Sequence, residues 1–178
     1  MTLRELFWSK GSSYYLTDKD THHTYLETYS KLFGKWEKEP ITILEVGVYK
    51  GGSLRLFEEY FVNATIIGYD IKDWGDIQCK RATRILKDFG QVSSTELPDN
   101  ITIAIEDGAH DFHSQFDFVR KVWPKMASGG IMVIEDIFTR KLGEMKTALD
   151  AIRMPYELLT FYPPKDEDND NLFIIRKD

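Results

Sequence analysis

The chain has 178 residues, a formal net charge of −6, and is 42% hydrophobic and 13% aromatic. That size and apolar share suit one compact domain with its own core, and the acidic balance argues against a broad basic face for nucleic-acid phosphates. A single cysteine, Cys79, excludes an intrachain disulfide and a Cys-rich zinc site. The opening "MTLRELFWSKGSS" lacks the apolar core of a signal peptide, and no run approaches the ~18 apolar residues of a membrane span. The expectation is a soluble, cytoplasmic protein with no membrane or nucleic-acid partner.

In chain order, residues 1–40 read as an N-terminal helical segment and 41–178 as the core of the same domain. "HTYLETYSKLFGKWE" (23–37) puts Tyr25, Tyr29, Leu32, Phe33 and Trp36 on one helical stripe, which fits a core-packing helix or a lid. Pro40 closes that unit. Apolar runs follow at 41–46, 64–70, 83–88, 101–107 and 129–136. Between them lie "SLRLFEEYF", "DIQCKRA" and "HSQFDFVRKVW", each predicted helical. Nearly continuous apolar strands alternating with helices predict an α/β, Rossmann-like, doubly wound and mostly parallel sheet. The end differs: "YELLTFY" (156–162) and "LFIIRKD" (172–178) flank "PPKDEDNDN", which predicts a C-terminal antiparallel hairpin. Asp166, Asp168 and Asp170 have calcium-loop spacing, but Asn171 stands where Gly is needed and Lys177 where the closing acid belongs, so the segment reads as a solvated loop.

The first strand leads into "ILEVGVYKGGS" (43–53). A dinucleotide fingerprint places its second glycine where the backbone approaches a pyrophosphate. Here Tyr49 holds that place between Gly47 and Gly51, and Glu45 would repel a phosphate. Both features suit a ligand without phosphate that carries positive charge, such as S-adenosylmethionine. Asp70, 23 residues after Gly47, ends the second strand, where an acid can accept both ribose hydroxyls. Asp88 ends the third run and is either an adenine contact, with Phe89 beside it, or a turn acid.

The tripeptide Ile-Glu-Asp occurs at 105–107 and again at 134–136, each time ending an apolar strand. Neighbouring strands lie about 4.8 Å apart, so these four acids crowd one rim. Such crowding raises carboxylate pKa values unless something neutralises the charge, and a hard divalent cation such as Mg²⁺ or Mn²⁺ would do so. The alternative is that one acid of each copy faces solvent or caps a helix. His110 follows Asp107 by three residues and can take a proton from an attacking hydroxyl. His113 lacks a third nitrogen or sulfur partner for zinc.

Taken together, these segments resemble the class I S-adenosylmethionine-dependent methyltransferases. More narrowly, they resemble the metal-dependent sugar O-methyltransferases of the macrocin and mycinamicin type, with cephalosporin-hydroxylase-like relatives. The residues that carry the resemblance are "TDKDTHHTYLETY", "ILEVGVYKGGSLRLFEEYF", "IIGYDIKD", "EDGAH" and "GGIMVIEDIF". Glu106 and Ala109 depart from the pattern, which has aspartate and serine there. The resemblance implies metal acids at Asp107, Glu135 and Asp136, a catalytic His110, and cofactor residues at Glu45, Gly47, Ser53 and Asp70. Tyr49, Gly51, Ile71 and Asp88 complete the predicted cofactor set, and His23, Tyr25 and Tyr29 the predicted lid. The implied activity is Mg²⁺-assisted methylation of a hydroxyl on a sugar or sugar-like small molecule or glycan. A catechol or phenol O-methyltransferase and a non-catalytic adenosyl-ligand binder are the alternatives; an NAD-dependent oxidoreductase is opposed by Tyr49 and Glu45. Homo-oligomerisation stays open.

Overall fold

The computed structural model describes residues 1–161 and 170–178. Among these residues seven strands make one sheet: β1 (Thr42–Val46), β2 (Thr65–Asp70), β3 (Thr83–Leu86), β4 (Ile101–Glu106), β5 (Met126–Ile134), β6 (Glu157–Thr160) and β7 (Asn171–Arg176). Their order is β3-β2-β1-β4-β5-β7-β6. The first five are parallel; β7 runs antiparallel to both β5 and β6. The strand order reverses between β1 and β4, and ligands of such sheets bind outside the carboxyl ends at that point.

Strand alternation divides the core into two layers. Ile43, Ile103, Ile105, Ile131 and Val133 face one side, where they meet α1 (Leu3–Lys10), α2 (Ser12–Tyr15), α3 (Tyr25–Phe33) and α4 (Gly52–Tyr60). Leu44, Ala104, Met132 and Ile134 face the other, against α5 (Phe112–Val122) and α6 (Leu142–Ala151). Both faces are covered, which explains why the strands read as unbroken apolar runs. The α3 stripe is a packing stripe: Tyr25, Tyr29 and Phe33 are buried, with Leu32 and Trp36 packed at its margin. No helix among the described residues is long and apolar enough to cross a membrane.

Three expectations need correction. The segment 76–82 is not helical. Its backbone N–H groups bond to carboxylates instead of to one another: Gln78 N to Asp76, and Lys80 N, Arg81 N and Ala82 N to Glu58 at the end of α4. The third strand stops at Leu86, and Asp88 caps a short 3-10 turn by accepting from Gly90 N at 2.9 Å. Helices α1 and α2 lie within the segment expected to be helical, but α6 was not anticipated; it buries only Met145 and Leu149, too short a stripe to stand out. Asp166 and Asp168 of the considered calcium loop, and most of the hairpin connection, lie outside the described residues, whereas Asp170 is buried and bonded to His23.

Candidate active site at the carboxyl ends of β1, β2 and β4

A cleft of about 740 Å³ opens at the switch point. That is within the ~300–1,000 Å³ range of small-molecule sites. Its walls include Gly47, Tyr49, Ser53, Asp70, Ile71, Asp88, Phe89, Asp107 and His110 of the residues singled out by sequence. Glycines allow the β1–α4 connection to form. Gly47 has φ +84°, and a Cβ there would lie 1.9 Å from the Asp107 carbonyl oxygen. A Cβ on Gly52 would lie 1.9 Å from the Tyr15 carbonyl oxygen, so α4 begins flush against the N-terminal segment. That segment adds Leu16, Thr17 and Asp18 to the wall, none of which the sequence reading had assigned.

Asp70 joins the turns around it. Oδ2 accepts from Val48 N (3.1 Å) and Tyr49 N (2.8 Å), and Oδ1 from Lys72 N (2.8 Å) and the Trp74 indole (3.3 Å). Tyr49 is 47% exposed and packs edge-on against Trp74 at the cleft mouth. Its φ of +47° is left-handed, as are those of His110 (+53°) and Asp136 (+55°). Non-glycine residues held there cost about 1–3 kcal/mol each and cluster at functional sites.

Glu45 lies elsewhere than expected. It is fully buried, is not part of the cleft wall, and receives the Ser53 hydroxyl at 2.5 Å. Burial pushes it up to about 7, against the opposing pull of a nearby lysine, Lys19. Lys19, inside "TDKD", was not among the expected site residues. It is 1% exposed. Its ammonium donates to Asp107 Oδ2 (2.6 Å) and to Glu135 Oε1 and Oε2 (2.7 and 2.8 Å), with Glu45 Oε1 at 3.5 Å. Burial opposes its charge, yet the surrounding acids raise its pKa well above the ordinary lysine value.

The repeated Ile-Glu-Asp acids separate into different environments. Glu106 is buried on the cleft wall; burial first, then the Asp107 charge, pushes it up to about 8, and its Oε2 has no hydrogen-bond partner. Glu135 turns away from the cleft toward Lys19 and the Tyr29 hydroxyl (2.5 Å). Asp136, where the chain leaves β5 in left-handed conformation, accepts from the Tyr25 hydroxyl at 2.7 Å, and His23 Nε2 lies 3.4 Å from its Oδ2. His23 Nδ1 bonds to Asp170 at 2.5 Å and its ring stacks on Tyr25. Thus His23, Tyr25 and Tyr29 are buried behind the rim and brace its acids; they do not cover the cleft.

Among the described residues, single ligand atoms of Asp107, His110 and Asp136 lie within 4.8 Å of one another. The buried Nδ1 of His110 has no hydrogen-bond partner and sits 3.9 Å from Asp136 Oδ2. Two carboxylate oxygens and an orphaned imidazole nitrogen fit a divalent cation. The sequence expectation was Asp107, Glu135 and Asp136 with His110 alongside; the structure groups His110 with the two aspartates and pairs Glu135 with Lys19.

Sheet order, glycine turn, ribose-position acid and acid-rimmed cleft together define the class I methyltransferase fold. Within that class the chain is homologous to the sugar O-methyltransferases of the macrocin and mycinamicin type. It is 31% identical to demethylmacrocin O-methyltransferase of Streptomyces fradiae over 141 residues, covering 72% of this chain and 35% of that one. It is 30% identical to mycinamicin VI 2''-O-methyltransferase of Micromonospora griseorubida, covering 82% of this chain and 44% of that one. The chain therefore spans less than half the length of these curated relatives. The crystal structure of the mycinamicin-pathway methyltransferase MycE, in complex with Mg, SAH and mycinamycin VI, superposes with a TM-score of 0.76 at 24% identity, over 99% of this chain and 55% of that one. No protein-family profile matches the chain.

Proposed function

We propose that the protein is an S-adenosylmethionine-dependent O-methyltransferase that methylates a hydroxyl of a sugar or sugar-like small molecule, assisted by Mg²⁺ or Mn²⁺. The observation that carries this reading is the meeting of Asp136 with Asp107 and the unpartnered His110 Nδ1, the latter two lining the same cleft as Asp70. The relatives named above are O-methyltransferases of sugar-bearing natural products, and MycE was crystallised with Mg and SAH, which supports the same chemistry here.

In this reading Asp70, Ile71, Asp88 and Phe89 hold the adenosyl part, with Gly47, Tyr49 and Ser53 along its path. Gly51 keeps the turn open, since a Cβ there would press on Ile77 at 2.4 Å. Glu45 acts from behind through Ser53 and Lys19. Asp107, Asp136 and His110 would hold the cation, with Glu135 fixing Asp107 through their shared lysine. A divalent cation held there would polarise the acceptor hydroxyl. The acceptor oxygen attacks the methyl carbon; the O–CH₃ bond forms as the S–CH₃ bond breaks, and S-adenosylhomocysteine leaves. A neutral imidazole has one bare nitrogen, so His110 takes the hydroxyl proton on that nitrogen while it is off the cation; bound through Nδ1, its Nε2 would carry hydrogen and accept nothing. Alignment of the two reactants supplies much of the rate, on the order of 7–11 kcal/mol in well-oriented systems.

The test is a methyl-transfer screen with labelled S-adenosylmethionine over sugars, glycosides and catechols, with and without chelator. Chelator-sensitive labelling of a glycoside supports the reading. Transfer to catechols alone would move the assignment to the phenol class. Binding of S-adenosylmethionine with no transfer to any acceptor would favour a binding protein, and tight NADH binding would overturn the cofactor.

A further inference from the structure

We propose that Lys19 is a positioning residue for the cation site: by holding Glu135 and one oxygen of Asp107, its ammonium fixes the Asp107 carboxylate beside Asp136 and His110. This rests on the metal reading above.

The geometry is stoichiometric. An ammonium has three protons. Three short contacts, at 2.6, 2.7 and 2.8 Å, go to Asp107 Oδ2 and both oxygens of Glu135. Glu45 Oε1, at 3.5 Å, is left with the charge but without a hydrogen bond, and it is one of the few buried polar atoms with no partner. Lys19 therefore ties the ends of β1, β4 and β5 to one point. Nor is Lys19 free to shift. Its carbonyl accepts from Tyr25 N at 2.8 Å, so it starts α3, and the carbonyl of Asp18 accepts from Thr21 N, His22 N and His23 N at 3.0 Å. Asp20 is clamped by Arg4 at 2.8 Å and by the Trp8 indole. On the other side, Thr17 and Asp18 are cleft wall.

Stability alone does not account for this arrangement. Buried ion pairs are poor stabilisers, and apolar side chains of similar volume often serve as well. What a lysine gives here, and an apolar residue cannot, is a defined orientation of the Asp107 carboxylate, the one acid among the described residues that Lys19 and the candidate cation group share. Outer-shell partners of this kind typically govern metal affinity by about 10–100-fold.

The sign of the change in Mn²⁺ affinity separates the roles. Lys19→Met removes a positive charge from an acidic rim, so pure charge competition predicts tighter Mn²⁺ binding. A positioning role predicts weaker binding, by about 10–100-fold. A distant structural role predicts lower melting temperature with unchanged affinity. Mn²⁺ affinity of the whole chain is read by electron paramagnetic resonance, beside S-adenosylhomocysteine affinity and thermal melting. Should Lys19→Met fail to fold, Lys19→Arg decides: it keeps the charge but cannot place three donors at the same point, so Mn²⁺ affinity falls while circular dichroism stays unchanged. Unchanged or tighter Mn²⁺ binding in the folded variant overturns the proposal. A wild-type chain that binds S-adenosylhomocysteine but no Mn²⁺ overturns the metal reading, and this inference with it. A wild-type chain that binds neither overturns the proposed function as a whole.

Discussion

At the scale of single residues, Asp70 and His110 carry the sharpest expectations. The four donors on Asp70 show that it shapes the glycine turn as well as presenting oxygen to the cleft. Asp70→Ala should weaken S-adenosylmethionine binding by about 1.5–3 kcal/mol, the range for hydrogen bonds to a charged group, and calorimetry reads it directly. Full affinity in that variant would remove Asp70 from the cofactor site. His110→Ala should lower turnover by roughly 10²–10⁴-fold if the imidazole takes the proton. One bare nitrogen cannot ligate and accept the proton at once, so Mn²⁺ affinity decides between the roles: a fall makes His110 a ligand, and a loss of turnover with intact Mn²⁺ affinity restricts His110 to proton transfer. Much of this site was legible in the sequence, because the residues at strand ends are fixed by strand period and by the glycines that follow. Lys19 was not. Its partners lie 88 and 116 residues away, and no local period marks a lysine that folds inward. The contacts of Glu135 were hidden for the same reason: the motif puts it at the rim, and Lys19 and Tyr29, both distant in sequence, are its partners there.

At the scale of elements, the strands were readable because burial on both faces leaves an unbroken apolar signature. The segment after β2 was not, because its conformation is set by a side chain from another element. Glu58, on α4, accepts backbone N–H groups of Lys80, Arg81 and Ala82 at 3.0, 2.8 and 3.1 Å. Burial alone would raise its pKa, but these bonds outweigh burial and hold it below its ordinary value of 4.5. A depressed folded pKa means stability that is present above the unfolded value and lost as pH falls through the folded one. The wild type should therefore lose stability on the acid side of 4.5. Glu58→Gln should flatten that part of the profile and speed amide exchange at Arg81 and Ala82. An acid limb identical in both proteins would show that Glu58 does not bear the pH dependence. The α4 start offers a second test. Alanine usually improves on glycine inside a helix by about 0.5–1 kcal/mol. Gly52→Ala should instead destabilise, because its methyl would meet the Tyr15 carbonyl at 1.9 Å, and the displaced Leu16–Asp18 wall should cost S-adenosylmethionine affinity. A melting temperature at or above wild type would mean that the N-terminal segment yields freely there.

At the scale of the whole molecule, the N-terminal helices and the sheet are joined through charge. Lys19, His23, Tyr25 and Tyr29 come from the first thirty or so residues, and each ends on an acid at the carboxyl edge of β4 or β5. The edge therefore has its positive and hydroxyl partners on the buried side, while Asp107 and His110 also face the cleft. A cation that binds this edge meets both halves of the fold at once, and it binds the native arrangement far better than an unfolded chain. Linkage then makes global stability depend on the ion: about 2.7 kcal/mol at a concentration one hundred times Kd. Mg²⁺ or Mn²⁺ should raise the melting temperature in a concentration-dependent way, and chelator should reverse it. Asp136→Asn keeps an oxygen for the Tyr25 hydroxyl but removes a charged ligand, so it should abolish most of the ion-dependent gain while leaving the ion-free melting temperature near wild type. S-adenosylhomocysteine should stabilise wild type and variant alike, since Asp136 is not part of the cleft wall. If the melting temperature ignores divalent ions in the wild type, the acids of the two Ile-Glu-Asp copies are neutralised from within, by Lys19 and its hydroxyl neighbours alone, and the cation has no place in the chemistry.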